Sequence, residues 1–91
     1  MTSTREDVVI YTARTCPYCV RAEHLLKRKR VDYERVAIWR FLPGGRRVLL
    51  QRFGAQHMTV PQIVIAGTHV GGCDELVALD RSGRLDELLG R

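Results

Sequence analysis

Cys16-Pro17-Tyr18-Cys19 joins a short apolar, β-branched run, Val8 to Tyr11, to a stretch whose apolar residues recur with helical spacing. Two cysteines bracketing two residues at a strand-to-helix junction restrict both the local fold and its chemistry. The first sulfur meets the free amides and the positive end of the helix dipole, which favours its thiolate. The second falls about one turn further on, within reach of a mixed disulfide formed on the first. Pro17 suits the first helical turn, where a missing N–H costs nothing. Cys16 is therefore expected to be the more exposed, more acidic thiol, and Cys19 the more buried one.

Around this junction the chain reads as alternating strands and helices. Tyr18, Ala22, Leu25 and Leu26 outline the apolar face of a first helix running to Arg30. Tyr33 to Ile38 is a second strand, parallel to the first across that helical crossover. Pro43-Gly44-Gly45 punctuates the chain before a second helix carrying Val48, Leu49, Leu50 and Phe53 and ending near Gly54. Val60 to Ala66 reads as another buried strand, turned by Gly67-Thr68 into a short strand at His69-Val70. After Gly71-Gly72 come a helix with Leu76, Val77 and Leu79 and a last one with Leu85, Leu88 and Leu89. The order β-α-β-α-β-β-α-(α) indicates an α/β fold, a small mixed sheet with helices on both faces.

Composition narrows the function classes. The 91 residues are enough for one domain and its core, and 45% hydrophobic with 27% charged is an ordinary globular balance. No apolar run approaches the roughly 20 residues of a membrane span. Met1 to Asp7 lacks a hydrophobic signal segment, which points to the cytoplasm. Three cysteines are too few for a secreted disulfide scaffold; in a reducing compartment, a Cys-x-x-Cys beside a βα unit reads as redox-active. The net charge is +5, and its densest cluster is Lys27-Arg28-Lys29-Arg30. That cluster falls at the end of the first helix, where cations complement the dipole, and it lacks the interleaved aromatics of single-strand binders. Neither a nucleic-acid nor a membrane partner is expected. Arg46, Arg47 and Arg52 form a second basic group, placed near the redox centre as a means of steering acidic substrates.

Three segments in order, Tyr11-Thr12 with Cys16-Pro17-Tyr18-Cys19, Thr59-Val60-Pro61-Gln62-Ile63, and Gly71-Gly72-Cys73-Asp74-Glu75-Leu76, resemble the glutaredoxin family. The resemblance spans nearly the whole chain and implies a thioredoxin-like three-layer α/β/α fold with a four-stranded mixed sheet, residues 1–91 forming one domain. It implies a dithiol glutaredoxin, a glutathione-dependent thiol–disulfide oxidoreductase acting on protein disulfides and glutathione-mixed disulfides. Cys16 is then the nucleophile and Cys19 the resolving thiol. Thr59-Val60-Pro61 matches the family's cis-proline loop, in which the Val60 N–H and C=O pair with an extended substrate backbone. Gly72, Cys73 and Asp74 match the segment that holds the γ-glutamyl end of glutathione, with helix-start amides taking a carboxylate and Asp74 an amino group. Asp74 can equally cap the helix, and Cys73 reads as a small helix-start residue or a secondary glutathionylation site. Tyr18 is expected to wall the pocket. Where glutaredoxins often carry a lysine, this chain has Ala13; the adjacent Arg14 is the cation expected for the glycyl carboxylate.

Glutathione is thus the expected co-substrate, renewed indirectly by glutathione reductase, and the protein is expected to be a monomer without a metal. The rival within the fold is a redoxin recharged by thioredoxin reductase, for example a donor to ribonucleotide reductase. A rival of another class is a metal carrier: Cys16, Cys19, Cys73 and His69 are formally a zinc set. Pro17 speaks against a bridging iron–sulfur cluster. His24 and His57 read as surface residues.

Overall fold

Val8–Thr12 forms β1, and its alternation decides the layering of the molecule. The computed structural model describes residues 8–13, 16–38, 43–55 and 59–90, with Pro43 and Arg46 described by their backbone. Val8 and Ile10 face one side of the sheet and Val9 and Tyr11 the other, the period-2 pattern of a strand covered on both faces. The elements follow as α1 (Pro17–Arg28), β2 (Glu34–Ala37), α2 (Pro43–Phe53), β3 (Gln62–Ile65), β4 (Thr68–Gly71), α3 (Cys73–Arg81) and α4 (Arg84–Leu88). The sheet order is β2-β1-β3-β4. β1 pairs in parallel with β2 and antiparallel with β3, and β3 with β4 antiparallel. This is the four-stranded mixed sheet that the element order implied.

One face of the sheet buries Ile10, Ile63 and Ile65 against Ala22, Leu25 and Leu26 of α1, Leu76 of α3 and Leu85 of α4. The other buries Tyr11 and Ile38 against Leu49 of α2, with Phe53, Val60 and Val64 packed around them. Side chains as fully enclosed as Ile10, Leu26 and Ile63 each contribute about 2–3 kcal/mol through burial.

The end of α1 rests on backbone chemistry. Arg30 adopts a left-handed φ of 58°, its N–H reaches Lys27 O at 3.0 Å, and the Val31 N–H reaches Leu26 O at 3.0 Å. This is a Schellman ending, with Leu26 and Val31 buried in the same cluster. Of the basic cluster, Lys27 and Arg28 fall in the last helical turn, where they complement the dipole. Lys29 turns toward the other helices, with its ammonium 3.2 Å from Asp80 of α3 and 2.9 Å from Asp86, holding its pKa above the ordinary lysine value.

Most element ends lie within two residues of the sequence reading; β3, the start of α2 and the place of Tyr18 differ for physical reasons. The strand expected over Val60 to Ala66 is confined to Gln62–Ile65. Pro61 has no N–H to give the ladder, and Ala66, with φ 51°, already belongs to the turn. α2 begins at Pro43, so Gly44 and Gly45 lie inside its first turn, the proline serving as a preset first helical residue. Tyr18 does not join the apolar face of α1; it is 54% exposed, and Cys19 is buried in the first turn instead.

Candidate active site

Cys16 occupies the N-cap of α1, extended at φ −133° and ψ 102°, with Pro17 as the first helical residue. The Cys19 N–H lies 3.2 Å from the Cys16 sulfur and donates to it, as a hydroxyl or carboxylate cap would accept in other helices. No acidic residue stands in the first turn to oppose the positive helix end. The Cys16 thiol in turn donates to Val60 O at 3.6 Å. Ionisation removes that donor and leaves the sulfur facing the Cys19 amide.

Cys19 is the more enclosed sulfur, 2% exposed against 9% for Cys16. Burial, then its hydrogen bond with Cys16, pushes the Cys19 thiol up to about 12. Cys19 is therefore a thiol, not a thiolate, at neutral pH. Ala13 packs against both cysteines and is itself buried. Arg14 lies outside the described residues, as does His57.

The second motif approaches through Val60. The Val60–Pro61 bond is cis; Thr59 is exposed, Val60 half-buried and Pro61 buried. Gln62, 3% exposed, donates from Nε2 to Thr59 O at 2.9 Å. Its Oε1 lies 2.7 Å from His69 Nε2, so His69 carries its proton on that nitrogen. The His69 ring stacks on Phe53 with centroids 4.3 Å apart, and Phe53 meets Tyr11 edge-on at 5.2 Å. Thus α2 and β4 both brace the loop.

The third motif closes the site. A Cβ on Gly72 would stand 3.4 Å from Pro61 O, so the two loops touch. Gly71 has φ 116°, and a side chain there would meet the Glu75 carboxylate at 3.0 Å. That carboxylate accepts the Gly72 N–H at 2.7 Å, as in a capping box. Glu75, rather than Asp74, is therefore the cap of α3. Asp74 is exposed at the mouth of the site. Cys73 is 4% exposed, and burial raises its thiol above the ordinary value.

The structure brings together Cys16, Cys19, Val60, Pro61, Gly72 and Cys73, with Thr59 and Asp74 at the rim. Tyr18 is exposed beside them, with the Arg21 guanidinium 6.0 Å from its ring. Arg52 borders a hollow with Tyr11, Glu34 and Val36 that contains no cysteine. The formal zinc set is not assembled: among the described residues no group of three or more His, Cys, Asp or Glu side chains can hold a metal ion. His69 is engaged by Gln62 and Phe53. Glu75 was legible as a capping residue three positions after Gly72. The pairing of Gln62 with His69 had no sequence signal, since it depends on the β3–β4 register.

The glutaredoxin family model matches residues 8–70, which include the cysteine pair and the cis-proline loop. The chain belongs to the glutaredoxin family. A glutaredoxin of Pseudomonas aeruginosa is 54% identical over 82 residues, covering 90% of this chain and 94% of that protein. The solution structure of a Brucella melitensis glutaredoxin is 43% identical with a TM-score of 0.78, covering 98% of this chain and 96% of that one. A buckwheat glutaredoxin solved as its glutathione complex is 30% identical with a TM-score of 0.80, covering 93% of this chain and 77% of that one. This glutaredoxin is a thiol–disulfide oxidoreductase with the thioredoxin-like fold.

Proposed function

We propose that this glutaredoxin works as a dithiol enzyme, with Cys16 the nucleophile, Cys19 the resolving thiol and glutathione the electron donor. The observation that carries the reading is the position of the Cys16 sulfur, 3.2 Å from the Cys19 amide and 3.6 Å from Val60 O. Nucleophile, second thiol and a backbone able to pair with an extended substrate meet at one atom. The Cys16 thiolate attacks one sulfur of a protein disulfide, and the other sulfur leaves as a thiolate that takes a proton from solvent. The mixed disulfide removes both the charge on Cys16 and the hydrogen bond from Cys19, two of the causes that hold the Cys19 proton. Cys19 then attacks Cys16, its proton passing to the departing substrate sulfur. The substrate departs as a dithiol, and a Cys16–Cys19 disulfide remains. Two glutathione molecules reduce it in successive exchanges, leaving as glutathione disulfide.

For a glutathione-mixed disulfide Cys16 suffices. It takes the glutathionyl group, the protein thiol leaves, and a second glutathione releases the first as the disulfide. In this reading the glutathione backbone pairs with Val60 beside Thr59 and Pro61. Its γ-glutamyl carboxylate meets the Cys73 and Asp74 amides next to Gly72, and its amino group meets Asp74. Arg14 takes the glycyl carboxylate and Tyr18 flanks the cysteine. The amides at the start of α3 have no partners within the helix, which supports this assignment. In this reading the enzyme acts as a monomer in the cytoplasm, whose reducing conditions return its cysteines to thiols after each turnover.

Reduction of a small glutathione-mixed disulfide, coupled to NADPH and glutathione reductase, tests the proposal. Cys16→Ser is expected to abolish turnover. Cys19→Ser should keep most of it while losing protein disulfide reduction; equal loss of both activities in Cys19→Ser contradicts the division of roles. Faster recharging of the oxidised protein by thioredoxin reductase than by glutathione would make it a redoxin of the other kind.

A further inference from the structure

A groove of about 420 Å³ runs between α1 and α3, outside the site described above. Val20, Leu25 and Val77 form its apolar lining, and Arg21, Arg28 and Arg81 bring three guanidinium groups to it. His24 and Asp80 complete the lining, and Asp80 is already held by Lys29 at 3.2 Å. None of the three arginines is in an ion pair among the described residues; Arg21 instead lies near the Tyr18 ring. The groove adjoins a second hollow that shares Arg21, Val77 and Arg81 and reaches Asp74. It therefore begins where the cysteine site ends. Val20, next to Cys19, is 54% exposed, a large apolar side chain left at the surface beside the reactive pair.

We propose that this groove docks an acidic segment of the protein substrate, flanking the disulfide that Cys16 attacks. The inference rests on the redox reading above and specifies its substrate class. From Val20 to Arg28 the groove follows α1 for about 12 Å, the length of about four residues of extended chain. An apolar side chain of that segment covers Val20, Leu25 and Val77, while its carboxylates meet Arg28 and Arg81. Guanidinium groups without acidic partners are suited to carboxylates, which they bind in paired hydrogen bonds. Arg28 lies about 18 Å along the helix from Cys16, beyond the reach of a small disulfide held at Val60 and Asp74. The groove thus discriminates among protein substrates and leaves deglutathionylation of small molecules untouched.

The test compares wild type with Arg28→Glu/Arg81→Glu, neither residue belonging to the cysteine site. Three substrates are used: a small glutathione-mixed disulfide, and two peptides with the same disulfide flanked by Asp, Glu and Leu or by Lys and Leu. The wild type is expected to favour the acidic peptide at low ionic strength, with the preference shrinking as salt is added. The double variant should raise the KM for the acidic peptide about tenfold and leave turnover of the small disulfide unchanged. Arg28→Gln/Arg81→Gln should fall between the two. An unchanged KM for the acidic peptide, with the small disulfide still turned over, overturns the docking site and leaves the redox reading standing. If the wild type fails on the small disulfide, the redox reading falls. Fluorescence anisotropy of a labelled acidic peptide with serines in place of its cysteines then decides docking alone, equal affinity for wild type and variant overturning it.

Discussion

The side-chain amide of Gln62 is held at both ends, by Thr59 O at 2.9 Å and by His69 Nε2 at 2.7 Å. It is the link between strand β4 and the loop that faces Cys16. A single buried hydrogen bond is worth about 1 kcal/mol, so Gln62→Ala, which releases the Thr59 carbonyl, should raise the KM for glutathione about fivefold. The kcat should change little, because Gln62 does not touch either sulfur. An unchanged KM in the coupled assay would assign the bridge to folding rather than to substrate binding.

Burial and the hydrogen bond with Cys16 together hold the Cys19 thiol near 12. In Cys16→Ser the hydrogen-bond partner is altered while the burial remains. Alkylation of Cys19 by iodoacetamide in that variant should accordingly be slow at neutral pH and still rising above pH 10. A rate that levels off below pH 9, the range of an ordinary thiol, would contradict the enclosure described for this sulfur.

Tyr33 donates its hydroxyl to Glu23 Oε1 at 2.8 Å, and Arg35 lies 3.5 Å from the other oxygen of that carboxylate. Burial first, then this bond, pushes the Tyr33 phenol up to about 12. The folded state therefore binds the phenolic proton more tightly than the unfolded chain does. Its contribution to stability is fully present below about pH 10 and is lost between about pH 10 and pH 12. Tyr33→Phe should show a flatter loss of stability across that alkaline window in urea melts, even if it is less stable at pH 7.

Ala66 and Gly67 form the two-residue turn between β3 and β4, with φ of 51° and 81°. Positive φ at both central positions is what a type I′ turn demands, and alanine is poorly suited to it. Ala66→Asn creates the Asn-Gly pair favoured there. It should stabilise the protein by about 1 kcal/mol, a rise of roughly 4–8 °C in Tm by thermal melting. No gain would mean that the turn relaxes without cost.

Much of this architecture was readable from residue patterns because the patterns answer to the layers themselves. The alternation of Val8 to Tyr11 reflects a strand covered on both sides. The series Ala22, Leu25 and Leu26 reflects one helix lying on that sheet. Helical spacing gives a direction around an axis, however, and does not say which turns have another layer above them. Tyr18 shares the direction of Leu25 yet stands exposed in the first turn. Proline likewise sets a boundary more firmly than a neighbouring apolar run does, which is why Val60 lies outside β3. The cysteine pair and its two companion loops could be recognised from motifs, each being local in the chain. What motifs did not carry was the support behind them: Gln62 with His69, and Phe53 reaching across from α2. Those contacts join elements whose registry only the folded sheet defines.

β3 leaves the cysteine site at Gln62 and β4 returns to it at Gly71, so the Ala66–Gly67 tip stands at the opposite end of the hairpin. Four residues of strand carry it about 13 Å away, and both tip residues are exposed. That separation makes the tip a natural attachment point. A fluorophore or surface linker grafted there would ride on the same two strands that brace the catalytic loop, reporting on its motions while leaving the sulfur chemistry unobstructed.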